Sequence, residues 1–131
     1  MKTIEEQLEY YEKQGFNNEQ MYEIRLGLES NLDVSIFAKK EFYWEQMWQI
    51  REGLEDCLDV SHFDKPEFNY LQMVQIRHGL KDGVDVTIFA KPEFDCLQMQ
   101  EIRLIIKSKD FYQLEEFGFE KEDIAQLVLE N

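Results

Sequence analysis

The residues of this chain able to do chemistry are its histidines, cysteines, arginines and carboxylates, and their spacing decides what they can do. There are two histidines, His62 and His78, and two cysteines, Cys57 and Cys96, among 131 residues. The two histidines, like the two cysteines, fall at unrelated positions of the chain's pattern. No HExxH, CxxC, glycine-rich phosphate loop or nucleophile elbow occurs. Carboxylates are plentiful, 28 Asp and Glu against 14 Lys and Arg, so close pairs arise by chance and single out no acid–base couple. The expectation is a protein that is no enzyme, with no cofactor and no metal. Cys57 and Cys96 are expected to be free thiols in a reducing compartment.

Arginine behaves differently, because it recurs: Arg25, Arg51, Arg77 and Arg103 stand 26 residues apart. Met21, Met47, Met73 and Met99 keep the same step. The chain is an internal repeat, with copies at 16–41, 42–67 and 68–93, and a fourth at 94–118 that drifts after Asp110. A catalytic group is not needed four times over; a structural one is. The arginines thus have two readings. They form a ladder that grips phosphates or acidic peptide, or each binds a helix end or the recurring Asp33, Asp59 or Asp85. The second is the expectation, since loss of the Arg would leave a partly buried carboxylate unpaired.

The elements that position these residues follow from the pattern within a copy. Asn17, Asn69 and Asp95 are N-caps, each followed three residues later by Gln20, Gln72 or Gln98, which makes a capping box. Tyr43 holds that place in the second copy and predicts a weaker start. Phe16, Phe42, Phe68 and Phe94 precede the caps and oppose the methionines as hydrophobic staples. Met21, Ile24 and Leu28 then give the apolar stripe of a long helix. Asn31, Cys57 and Gly83 fall where a left-handed residue ends it. Asp33, Asp59 and Asp85 are expected to cap a second, short helix (DVSIFAK in the first copy), which Pro66 and Pro92 end. Gly27, Gly53 and Gly79 are read as points of close helix packing. The ends differ: residues 3–14 read as a lead-in helix within an N-terminal cap (1–15), and 119–131 as a closing helix. The fold class is all-α, a short α-solenoid of four long-helix/short-helix repeats in one domain, 1–131, with a capping helix at each end.

Variable positions of a repeat are free to bind. Positions 18, 22 and 26 share a helical face, which reads Asn18–Tyr22–Leu26, Trp44–Trp48–Glu52, Tyr70–Val74–His78 and Cys96–Gln100–Leu104. This face either contacts a partner through Trp and Tyr or fills the groove between helices as core. His78 reads as a surface histidine. The net charge of −14 disfavours direct binding to nucleic acid or anionic lipid. It is uneven: residues 42–67 hold 2 basic against 7 acidic groups and 68–93 hold 3 against 3. Any nucleic-acid mimicry is therefore local, centred on Glu45, Glu52, Glu55, Asp56 and Asp59 with the last helix.

The phrase QMxxIRxGLxxxxDVSxFAKPEF resembles short helical repeats found in proteins of bacterial mobile elements and phages. The resemblance covers residues 16–103. It implies a context of conflict between mobile DNA and host defence, of anti-restriction or anti-CRISPR type, and carries no catalytic residue. The first expectation is a non-catalytic module that binds a host protein, one with a basic nucleic-acid-binding surface. The other is a self-assembling scaffold that forms a homodimer through its aromatic face. The opening MKTIEEQLEYYEK is amphipathic and acidic, unlike a secretory signal, and no apolar run suits a membrane span. The expected address is the cytoplasm.

Overall fold

The computed structural model describes residues 1–131 and is helical throughout, with no strand. Six α-helices succeed one another: α1 (Ile4–Lys13), α2 (Asn18–Glu29), α3 (Trp44–Glu55), α4 (Tyr70–Asp82), α5 (Cys96–Ser108) and α6 (Lys121–Glu130). Helices α2 to α5 begin 26 residues apart, as the repeat requires. No helix is long and apolar enough to cross a membrane.

Local chemistry sets each helix start. The side chains of Asn17, Asn69 and Asp95 accept from the amides of Gln20, Gln72 and Gln98, all at 2.8 Å. The glutamine Oε1 atoms accept the cap amides in return, at 2.8–2.9 Å. Tyr43 supplies no cap of its own and keeps only the reciprocal half, Tyr43 N–H donating to Gln46 Oε1 at 2.8 Å. Helix ends are equally regular. Asn31, Cys57 and Gly83 adopt φ of 60°, 59° and 76°. The amides just beyond them, of Leu32, Leu58 and Val84, reach back to the carbonyls of Gly27, Gly53 and Gly79 at 2.9, 2.9 and 3.1 Å. This is the Schellman arrangement, and it satisfies carbonyls that the helix leaves orphaned.

The second element of each copy is shorter than its sequence suggests. Instead of a short α-helix there is a three-residue 3-10 turn: Val34–Ile36, Val60–His62 and Val86–Ile88. Asp33, Asp59 and Asp85 cap these turns, each accepting from the amide two residues on, at 3.1–3.2 Å. After the turn the chain folds back sharply, Lys39 N–H to Phe37 O at 2.8 Å, so no second helical turn can form. The turn lays its Val and Phe on the preceding glycine. A Cβ on Gly53 would stand 2.8 Å from Val60 Cγ1 and 2.9 Å from Phe63 Cζ. The recurring glycine therefore admits the copy's own turn rather than a neighbouring helix.

Copies join by contacts that repeat at fixed offsets. Gln20 Nε2 donates to the Phe42 carbonyl at 2.8 Å, Gln46 Nε2 to Phe68 at 2.6 Å and Gln72 Nε2 to Phe94 at 2.7 Å. Each glutamine thus caps its own helix with one atom and ties down the next copy with the other. The core runs the length of the chain: Phe37, Phe63, Phe89, Met47, Met73, Met99, Ile50, Ile76 and Ile102 are fully buried. At the amino end α1 packs on α2 through Leu8. At the other end a 3-10 segment, Phe111–Phe117, packs on α5 and carries α6, whose Ile124 is buried.

Candidate interaction surface

The flanks of the long helices are closed by the arginines. Arg51 Nε donates to Glu23 Oε2 of α2 at 2.7 Å, and its Nη1 to Glu55 Oε1 at 3.0 Å. Burial opposes the Arg51 charge, but the bond and charge of Glu23, with Glu55 behind it, prevail and hold its pKa above the ordinary value. Arg77 Nε donates to Gln49 Oε1 at 3.0 Å, and Arg103 Nε to Gln75 Oε1 at 3.2 Å. All three of these Nε acceptors lie 28 residues back, one helix earlier. None is Asp33, Asp59 or Asp85, which are engaged in capping the turns. The reason is angular. Positions 23 and 25 of a copy project from opposite flanks of a helix, so stacking sets one copy's position 23 against the next copy's arginine. Arg25 has only α1 before it and reaches Glu5 at 3.4 Å, with both side chains exposed.

The outer face of α2 to α5, opposite the core, carries most of the apolar residues that these copies leave in water. Tyr22 is 60% exposed, Trp44 and Tyr70 38%, while Trp48, Val74 and His78 are half-buried. Trp44 and Trp48 stack at 6.2 Å with planes 18° apart. The Trp48 indole N–H donates to Glu52 Oε1 at 2.8 Å, and Glu52 also lies 3.4 Å from Arg77 Nη2. These aromatics are neither solely core nor free; they line the surface seam between helices.

Three leucines extend the surface. Leu97 is 65% exposed, Leu104 49% and Leu71 46%. Leu71 and Leu97 occupy the place of Glu19 and Glu45 in the first two copies, three residues before Val74 and Gln100, hence on the same face. That position lies outside the 18–22–26 spacing that defines the face in the sequence. The swap of Glu for Leu between copies is the one sequence signal that points to it.

The acidic groups are less available than their number suggests. Glu55 holds Arg51 and accepts from Ser30 Oγ at 3.2 Å; Asp56 lies 3.4 Å from Lys81 Nζ. Asp59 accepts from the Ser61 hydroxyl and amide, which, with His62 and Lys65 nearby, hold its pKa below the ordinary value. Asp56 and Asp59 sit past the end of α3, not on the aromatic face. Glu45, inside that face, makes no ion pair within the chain. His78 is pushed down by burial and then by Arg77 and Arg103, with Lys81 adding to the effect and Asp82 opposing it.

A separate hollow of about 650 Å³ lies between α1 and α2, floored by Leu8, Phe16 and Met21 and rimmed by Glu5, Glu9 and Glu12. No three His, Cys, Asp or Glu side chains come close enough together to hold a metal ion. Cys57 and Cys96 are free thiols. Compared with protein families, with curated proteins and with solved structures, the chain matches none.

Proposed function

We propose that the chain is a short α-solenoid, four 26-residue repeats between two capping elements, and that it is a non-catalytic scaffold making protein–protein contacts through the outer face of its long helices. One observation carries the reading. Within residues 16–108 every exposed large apolar side chain except Tyr43 lies on that face: Tyr22, Trp44, Tyr70, Leu71, Leu97 and Leu104. Confinement of exposed apolar groups to one surface marks a contact region. Aromatic anchors beside half-buried neighbours are the usual composition of an interface centre.

The resemblance to mobile-element and phage repeats suggests a host protein as partner, one with a basic surface, in the cytoplasm. Mimicry of nucleic acid is the less supported form of that idea. Glu52, Glu55, Asp56 and Asp59 all have partners inside the chain, whereas a mimic needs carboxylates free for a partner's lysines and arginines.

Proteins retained from a host lysate by the immobilised chain test the reading, with Trp44→Ala, Leu97→Asp and Lys39→Glu run in parallel. Retention is expected to fall for the first two and to persist for Lys39→Glu, whose exposed side chain lies between copies, away from the face. Retention indifferent to the two face substitutions would refute the assignment.

A further inference from the structure

One exposed position on this face changes sign halfway along the chain. In 26-residue steps it reads Glu29, Glu55, Lys81, Lys107. All four are exposed and lie in the last turn of α2, α3, α4 and α5 respectively. Each comes seven residues, two helical turns, after the aromatic row (Tyr22, Trp48, Val74, Gln100) and so projects from the same side. The half of the face on α2 and α3 is acidic, with Glu19 and Glu45 added. The half on α4 and α5 is apolar and basic, with Leu71 and Leu97 where those glutamates stood.

Building on the scaffold reading, we propose that the partner covering this face is a second copy of the chain, related by a two-fold axis parallel to the long helices and passing between α3 and α4. That operation preserves helix direction and reverses stacking order, so α2 of one copy faces α5 of the other, and α3 faces α4. Glu29 then meets Lys107 of the second copy, and Glu55, whose Oε1 already holds Arg51 and Ser30, lies opposite its Lys81 and adds the weaker contact. Symmetry doubles these to four opposite-charge contacts, as an isologous interface must. The same registration sets Trp44 against Tyr70 and Trp48 against Val74 at the centre, and Leu26 against Leu104 on the outer helix pairs.

Other arrangements fit the charges less well. A two-fold axis along the stack lays each helix antiparallel on its own counterpart. It brings Glu29 near Glu19 and Glu55 near Glu45, acid on acid. A uniformly basic partner suits the α2–α3 half but confronts Lys81 and Lys107 with like charge. Within one chain Lys81 and Lys107 stand 3.4 and 3.5 Å from Asp56 and Asp82, at half-exposed positions with donors to spare. Glu29 has no ionic partner in its own chain, so Glu29 with Lys107 is the cleanest pair to test.

Sedimentation equilibrium across micromolar concentrations reads the oligomeric state of the full chain, Glu29→Lys, Lys107→Glu, and an equimolar mixture of the two variants. The wild-type chain is expected to dimerise. Each variant alone sets like charges at both Glu29–Lys107 contacts, weakening its dimer by roughly tenfold or more. In the mixture every contact is opposite-charged again, and affinity returns toward the wild-type value. Both substitutions are at exposed positions, and circular dichroism checks that the variants keep their helix content. A wild-type chain monomeric throughout, a dimer indifferent to either substitution, or a mixture no tighter than its components overturns the inference. A monomer that still retains a foreign protein through Trp44 and Leu97 would do so while leaving the scaffold reading intact. A dimer insensitive to Leu97→Asp would count against both.

Discussion

The seam between α2 and α3 and the seam between α3 and α4 hold the same arginine in the same geometry and answer it with different chemistry. Arg51 meets the carboxylate of Glu23, both side chains nearly buried, at 11% and 5% exposed. Arg77 meets the neutral amide of Gln49 through the same Nε atom, at 3.0 Å rather than 2.7 Å. The repeat therefore requires an acceptor oxygen opposite the arginine, and the charge on that acceptor is optional. What differs is the cost of removing one side. A buried carboxylate without its partner is far worse placed than a buried amide.

Arg51→Ala is accordingly the largest effect expected, a loss of about 3–5 kcal/mol in urea unfolding, because Glu23 is stranded. Adding Glu23→Gln to it converts the stranded charge into an amide and is expected to recover part of the loss. A double variant no more stable than Arg51→Ala alone would break the comparison, since the penalty would then not be electrostatic.

Next in size is Gln46→Glu, which keeps the oxygen that caps α3 but replaces the amide donor with a second carboxylate oxygen facing the carbonyls of Pro66 and Phe68. A loss of about 2 kcal/mol is expected from the missing donor and the repulsion. Gln98 has the same cap but is exposed and ties down no further copy. Gln98→Glu should therefore change the melting temperature little, and equal losses at the two positions would remove the linking role assigned to the glutamine. Arg77→Ala comes after it at about 1–2 kcal/mol, since it strands the Gln49 amide, while the carboxylate it also leaves, Glu52, is a third exposed and stays solvated. A loss matching that of Arg51→Ala would show that the charge difference between seams carries no weight.

These contrasts also mark what is legible in the sequence. Helix starts and ends are legible because their determinants are local: Asn17 with Gln20, or Asn31 with Leu32, act within a few residues. The second duty of Gln46 is not, because the carbonyl it holds is 22 residues away and local capping already accounts for its recurrence. The arginine partners are hidden for a related reason. Asp33, Asp59 and Asp85 are the acids that recur, while the true acceptors vary between Glu and Gln and so conceal their periodicity. The turn is shorter than expected because DVSIFAK carries a helical start signal, Asp33 before Ser35. Nothing in its composition reveals that Phe37 must descend onto Gly27. On the outer face the aromatic rows are visible as variable positions, and helical spacing puts Leu71 and Leu97, at the place of Glu19, beside them; what the sequence does not give is that these leucines are left in water.

The smallest prediction concerns His78, which stands on the third copy where the second has Glu52, and beside Lys81 where the second has Glu55. Burial comes first, and Arg77, Arg103 and Lys81 add to it, so its pKa in the folded chain lies below the ordinary 6.5 despite Asp82. Protonation is thus harder in the folded chain than in the unfolded one. The contribution to stability is present in full above pH of about 6.5 and is lost as pH falls below it. His78→Gln removes this dependence, so the variant should gain on the wild type, by a small margin, as melting is followed from pH 7 to more acid solution. Pairing of two copies about the proposed axis sets Glu52 of the second copy opposite this ring and favours its charged form. The loss on acidification should therefore shrink at protein concentrations where the dimer forms. A pH response of the same size in dilute and concentrated solution would mean that His78 still faces only its own chain, and would separate the third copy's surface from the contact.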